Sequence, residues 1–470
     1  MADAPQLPAS LALRPSRAIH AIADFIADPV VAAQFPEHRL RFRNDRAARE
    51  VALDALTDTA WVAHFGRFEP LPGSLPQPLA LRYHGHQFRV YNPEIGDGRG
   101  FLFAQLHDRA GRLMDLGTKG SGQTPYSRFG DGRLTLKGAV REILATEMLE
   151  ALGVPTSRTF SVIETGEALH RGDEPSPTRS AVLVRLNHGH IRIGSFQRLA
   201  TLGDTESLAR LVAYSLHHYF GEPLGDGRGE APARLLRQVA TGTAQLAARF
   251  MAAGFVHGVL NSDNINITGE SFDYGPWRFA PSFDANFTAA YFDQSGLYAF
   301  GRQAEAIHWN VVQLAIALRG LAETDELAQA VEGFGSVYRE ALVAAMLARL
   351  GVAPRTPEED VALVQAIEGA LTESQVSIDR FFFDWRGGKL RCAPTLYAGG
   401  DFAALRARIA PYAAPLPLRH CYWSKADPCS MLIDEVEAIW RPIAANDDWS
   451  LLDAKIAAVR RMGNAMALSL

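Results

Sequence analysis

The run His257-Gly258-Val259-Leu260-Asn261-Ser262-Asp263-Asn264, then Ile265 to Ile267, then Asp273-Tyr274-Gly275, constrains this chain more than any other feature. It sets an amide seven residues after a histidine and, beyond a short apolar run, a carboxylate ahead of a glycine. An amide oxygen and a carboxylate are hard ligands, suited to a magnesium ion that bridges phosphates. Holding two such segments against one cleft requires a core of enzyme size. The 470 residues, 47% hydrophobic and 21% charged, are ordinary for a globular protein. At ~150 residues per domain, the length allows about three domain-sized units or one two-lobed enzyme.

A formal charge of −5 argues against a protein that neutralises a nucleic-acid backbone over a broad surface, so no nucleic-acid partner is expected. A local basic pocket remains compatible with it. Cys392, Cys421 and Cys429 are too few and too clustered to staple a secreted fold, and they read as reduced or buried thiols. Met1 to Pro36 carries Asp3, Asp24 and Asp28 and lacks a basic stretch followed by an unbroken apolar one. Elsewhere, runs such as Trp309 to Leu318 stop well short of the roughly 18 residues a membrane span needs. A cytoplasmic location without a membrane partner is expected.

The order of elements carries the fold reading. Ile19 to Phe68 reads as mostly helical, and the prolines Pro70, Pro72, Pro76 and Pro78 mark a boundary. Leu79 to Tyr83, Phe101 to Leu106 and Arg112 to Thr118 read as strands, the last two joined as a hairpin through Asp108-Arg109-Ala110-Gly111. Val140, Ile143, Leu144, Met148 and Leu152 recur at helical spacing, predicting a helix from about Leu134 to Leu152 that stops at Gly153-Val154-Pro155. Ser161 to Glu164 and Ala181 to Leu186 predict two more strands. Long helical patterns follow at Ser207 to Tyr219, Ala231 to Ala253, Trp309 to Glu323, Glu326 to Leu350 and Glu358 to Leu371. A short β-rich interruption falls at Ile265 to Ile267 and Trp277 to Ala280. This is an α+β, protein-kinase-like two-lobed outline: an N-terminal helical extension (1–78), a β-rich N-lobe (79–200), a helical C-lobe (201–400) and a C-terminal helical extension (401–470).

Four features fit that outline. Gly96-Asp97-Gly98-Arg99-Gly100 precedes the Phe101 strand, where glycines let backbone N–H groups approach phosphate oxygens. Lys119 ends the Arg112 strand, on one face with Leu113, Asp115 and Gly117. Glu142, on the following helix, is spaced to reach back and hold that lysine against phosphates. The fourth is the opening string, in which Asn264 and Asp273 stand where a kinase carries its metal ligands. Val259, however, occupies the position of the catalytic aspartate and cannot accept a proton. Ordinary phosphotransfer is therefore in doubt.

Gly117-Thr118-Lys119-Gly120-Ser121-Gly122-Gln123-Thr124-Pro125-Tyr126-Ser127-Arg128, with the glycine run before it and the His257 to Gly275 string after it, resembles the selenoprotein O (YdiU) family over about Leu81 to Asn310. The resemblance implies a pseudokinase that binds ATP in an inverted orientation and transfers AMP to Ser, Thr or Tyr hydroxyls of proteins. Use of UTP is also associated with bacterial members. It implies triphosphate ligands at Gly96, Gly98, Arg99, Lys119, Asp131, Gly132, Arg185, Arg192 and Asp273, and a base at Asp263. It also implies that Asn264 and Asp273 hold Mg2+ or Mn2+. A kinase using Asp263, or a nucleotide-binding scaffold without catalysis, stays open as an alternative.

Two departures stand out. No cysteine follows Cys429, so a C-terminal redox motif is absent from the sequence. In His84-Gly85-His86-Gln87-Phe88-Arg89 an arginine stands where a glycine is expected, and the two histidines read as structural, not as a metal pair.

Overall fold

Alternation along the strand Leu113–Lys119 sorts its side chains onto two faces, and this division organises the N-terminal half. Met114 and Leu116 enter a core with Trp61, Phe65 and Phe160, whereas Leu113, Asp115, Gly117 and Lys119 face the other side. The coordinates are a computed structural model, which describes residues 12–172, 174–374, 376–391, 394–413 and 418–468. Its nine-stranded sheet runs Ala27–Pro29, Leu79–Leu81, Leu102–His107, Leu113–Lys119, Thr178–Asn187, Arg158–Leu169, Arg39–Arg43. Pro15–Ser16 adds to Leu102–His107, and Leu134–Thr135 to Thr178–Asn187. Every pairing in it is antiparallel.

The helix Leu136–Ala151 begins where the Thr135 side chain accepts a hydrogen bond from the Gly138 N–H at 3.1 Å, an N-cap that satisfies one free helix donor. Val140, Ile143, Leu144 and Met148 bury against the sheet and bring Glu142 with them. The C-terminal helices Ile433–Asn446 and Ser450–Ala467 brace this helix from behind, through Lys137 to Glu437 at 2.8 Å and Arg460 to Glu147 at 2.8 Å.

The helical lobe is built around Ala231–Ala253, which packs on Gln303–Leu318, Thr324–Glu332 and Phe334–Leu350. It ends where Gly254 adopts φ +70°, a left-handed cap that glycine accepts without strain. No helix among the described residues is long and apolar enough to cross a membrane. Cys421 and Cys429 are free thiols, and Cys392 lies outside the described residues.

Three expectations need correction. Ile19 to Phe68 holds the helices Asp45–Glu50 and Asp58–Phe65, but it also gives two strands to the sheet, Ala27–Pro29 and Arg39–Arg43. The pattern expected over Glu326 to Leu350 divides at Gly333 into Thr324–Glu332 and Phe334–Leu350. Of the expected β-rich insert, Arg278–Phe279 pairs with Phe255–Val256, while Ile265 to Ile267 supplies one isolated bridge, from Asn266 to Arg192.

Candidate active site

The face carrying Lys119 looks into a cavity of about 560 Å³. Gly96, Gly98, Arg99, Lys119, Asp131, Gly132, Arg185, Arg192, Asp263 and Asp273 line it. Of the residues expected from sequence, Glu142 and Asn264 are not in the lining: Glu142 stands behind Lys119, and Asn264 turns its amide N–H to the Val259 carbonyl at 3.0 Å.

The cations converge on one carboxylate. Lys119, buried, pairs with buried Glu142 and lies 2.9 Å from Asp273 Oδ1. Arg185 Nη1 is 3.5 Å from the same oxygen, and Arg192 Nη1 is 3.8 Å from Asp273 Oδ2. Burial pushes the Asp273 carboxyl up, but Lys119, Arg185, Arg192 and Arg99 outweigh it and hold the group well below the usual carboxylate range. Asp273 itself sits at φ +65°, a conformation that aspartate tolerates better than most side chains. Strand register explains how Arg185 arrives: it lies opposite Gly117, as Leu183 does opposite Lys119.

The His257 string folds as a clamp. His257 Nε2 bonds the Phe272 carbonyl at 2.9 Å, fastening the loop to the residue before Asp273. Val259 acts through its backbone alone: its N–H meets His257 Nδ1 at 3.4 Å and its carbonyl takes the Asn264 amide. A valine there is compatible with the loop's shape, though not with base chemistry. Asp263, 8% exposed, has an Oδ1 without a hydrogen-bond partner. Burial raises its carboxyl to about 6, with the charge of Asp273 adding to the shift and Arg192 opposing it.

The glycines of the Gly96 run are explained by protein neighbours. A Cβ on Gly96 would come within 2.4 Å of the Tyr126 ring, and one on Gly98 within 2.9 Å of the Tyr126 carbonyl. Tyr126 is anchored in turn by its hydroxyl to Asp28, which also takes Arg82. Arg89 and Phe88 both have positive φ, +63° and +51°, at the turn of the hairpin Gly85–Gln87 with Val90–Asn92. That geometry is why a glycine is expected at position 89. Arg89 pairs with Glu305 at 2.9 Å and does not line the cavity. His84 and His86 bond Tyr91 and Gln197, respectively, at 2.7 Å each.

Sequence reasoning missed several members of the site. Asp97 receives Arg192 Nη2 at 3.0 Å, and the Arg192 guanidinium lies 4.3 Å from the Tyr83 ring centroid. His190 bonds Arg185. Asp97 lies within the Gly96 to Gly100 run, and the signal for it is a carboxylate that a buried arginine requires as a partner.

Among the described residues, no group of three or more His, Cys, Asp or Glu is arranged to hold a metal. Asn264 and Asp273 are two oxygen donors, and the unpartnered Asp263 Oδ1 is a buried acceptor in the same neighbourhood. Hard oxygen donors of this kind suit a magnesium-like ion that takes most of its ligands from phosphates and water, with Asn264 standing outside the cavity lining.

A cleft that gathers four cations around one aspartate suits a polyanion. The family model described as "Protein adenylyltransferase SelO" matches residues 10–390. "Protein nucleotidyltransferase YdiU" of Synechococcus elongatus is 42% identical over 94% of both chains. The protein of the same name from Gloeobacter violaceus is 44% identical over 92% of both. The solved structure of ROP2 from Toxoplasma gondii, described as having a protein-kinase fold and no enzymatic activity, overlaps 71% of this chain and 82% of its own. It does so at 12% identity and a TM-score of 0.24, too loosely to weigh in the argument. The chain belongs to the SelO (YdiU) family of protein nucleotidyltransferases.

Proposed function

We propose that this protein transfers AMP from ATP to a Ser, Thr or Tyr hydroxyl of a protein substrate, releasing pyrophosphate. The observation that carries this reading is the depth of the cations: Arg185 and Arg192 are 5% and 3% exposed, and Lys119 is equally buried. The β- and γ-phosphates carry most of a triphosphate's charge, and desolvated arginines favour that end strongly. With pyrophosphate held inside, the α-phosphorus faces the acceptor. A kinase needs the γ-phosphorus there, against this gradient of charge.

In the step, the acceptor oxygen bonds to the α-phosphorus, and the bond from that phosphorus to the α,β-bridging oxygen breaks. Asp263 Oδ1 takes the hydroxyl proton, since it is buried, without a partner and shifted to about 6. Lys119, Arg185, Arg192 and Arg99 stabilise the charge that develops on the leaving pyrophosphate. Glu142 holds Lys119 in place. Asn264 and Asp273 would hold Mg2+ or Mn2+, which would supply further charge neutralisation at the phosphates. Asp131 and Gly132 line the cavity, and Arg171 pairs with Asp131 at 2.8 Å. UTP presents the same triphosphate, so UMP transfer is open to the same residues. Location in the cytoplasm belongs to the same proposal.

Intact-mass analysis of a protein acceptor after incubation with ATP and Mg2+ tests this. A gain of one adenylyl group is expected; a gain of one phosphoryl group would establish the kinase reading instead.

A further inference from the structure

Arg185 reaches the cavity from a strand whose neighbours hold it in a chain of buried polar groups. Its Nε–H donates to His190 Nε2 at 3.1 Å, and His190 Nδ1 lies 3.3 Å from Asp115 Oδ2. Asp115 Oδ1 in turn accepts from Gln105 Nε2 at 2.8 Å, and Gln105 Oε1 accepts the Ile19 N–H at 2.8 Å. Gln105, Asp115, Arg185 and His190 are all buried, at most 5% exposed. The imidazole occupies the space over Gly117, where a Cβ would come within 2.3 Å of His190 Nε2.

The hydrogen positions follow from what each group can do. A guanidinium only donates, so Nε2 must be bare, and a neutral imidazole then carries its proton on Nδ1, directed at Asp115. Burial holds His190 below the usual histidine range, with the Asp115 hydrogen bond acting the other way, so the neutral form is the one to consider. Gln105 is itself fixed by a backbone N–H, so it has only its amide protons to offer Asp115. With Nε spent on His190, Arg185 is left with its Nη atoms for the cavity, where Nη1 makes no hydrogen bond and faces the Asp273 carboxylate at 3.5 Å.

We propose that His190 is a positioning residue for the triphosphate site: its Nδ1–H tautomer, set by Asp115, presents a bare Nε2 that aims the Arg185 guanidinium at the phosphates. This rests on the reading of the cavity as a triphosphate site. Asp115→Asn is the discriminating variant. Gln105 still donates to one side of residue 115, so the new amide turns its oxygen there and its N–H2 to His190. His190 then accepts at Nδ1 and carries its proton on Nε2, facing the Arg185 N–H, a wrong-tautomer defect of the kind known for catalytic triads.

The experiment measures ATP and adenosine dissociation constants for the full-length protein, alongside imidazole 15N shifts that report the His190 tautomer. Asp115→Asn and His190→Leu should weaken ATP by about 10- to 100-fold, as expected for losing a charge-assisted hydrogen bond, while adenosine binding is unchanged. Neither variant should cost more in an Arg185→Met background. His190→Gln, which can accept from Arg185 and donate to Asp115, should restore ATP binding to within about threefold of wild type. Wild-type ATP affinity in both Asp115→Asn and His190→Leu, losses that add fully to that of Arg185→Met, or a wild-type proton on Nε2 would each overturn the inference. ATP binding that is unaffected by Arg185→Met would instead overturn the triphosphate reading on which it rests.

Discussion

Arg192 donates Nη1–H to the backbone carbonyl of Asp263 at 2.8 Å, while the same nitrogen stands 3.8 Å from Asp273 Oδ2. One planar guanidinium thus spans the proposed base and the proposed metal ligand, and its other arm binds Asp97 at 3.0 Å. Lysine keeps the charge but offers a single point of attachment. Arg192→Lys should therefore lower nucleotidyl transfer by roughly 10- to 100-fold, the cost of losing charge-assisted hydrogen bonds. Steady-state kinetics on variants whose circular dichroism matches wild type will check it.

Asp263 must be ionised to accept a proton, and its carboxyl is raised to about 6. Transfer should rise with pH through that value and level off above it, and Asp263→Asn should remove the activity. The stability linkage has the opposite sign. Between the unfolded value of 3.8 and about 6, the native state keeps a proton that the unfolded chain has lost, so stability falls as pH rises. At neutral pH the nucleotide-free Asp263→Asn protein should be more stable than wild type by up to about 3 kcal/mol. Urea denaturation at two pH values measures this, and equal stability at both would remove the raised-carboxyl assignment.

Lys119 and Glu142 are a buried pair, 5% and 2% exposed. Lys119→Met leaves a carboxylate buried without its cation, which costs about 3–5 kcal/mol. Adding Glu142→Gln should recover much of that stability but none of the activity, because the phosphate ligand is still missing. A double-mutant cycle of unfolding free energies would expose any independence of the two residues.

Gly117→Ala should be damaging despite its small size. The new Cβ would meet His190 Nε2 at 2.3 Å, and its backbone lies in the sheet interior opposite Arg185. Overpacking of this kind costs about 1–3 kcal/mol. Displacement of His190 should also weaken ATP binding. Calorimetric titration and a thermal melt of the same sample report both effects.

The parts of the site that could be read from sequence are those where function and local chain geometry coincide. Period-two alternation correctly put Asp115, Gly117 and Lys119 on one face, and helical spacing correctly put Glu142 on the helix that packs there. The Arg39–Arg43 strand was missed although Arg-Leu-Arg-Phe-Arg alternates as a half-buried strand does, because its pairing partner, Arg158–Leu169, lies far along the chain. Helix Ile193–Thr201 was missed too, since its start has no side-chain cap to announce it. The link from Asp115 to His190 spans 75 residues. It exists only because two strands pair in one register, which composition and local pattern do not encode.

The central claim is that the nucleotide's α-phosphorus, not its γ-phosphorus, reaches the acceptor. Incubating the protein and an acceptor with ATP and Mg2+, labelled at the α- or at the γ-phosphate in parallel reactions, tests it directly. Protein-bound label from the α position alone, absent in Asp263→Asn, is the predicted result. Label from the γ position alone would contradict the account.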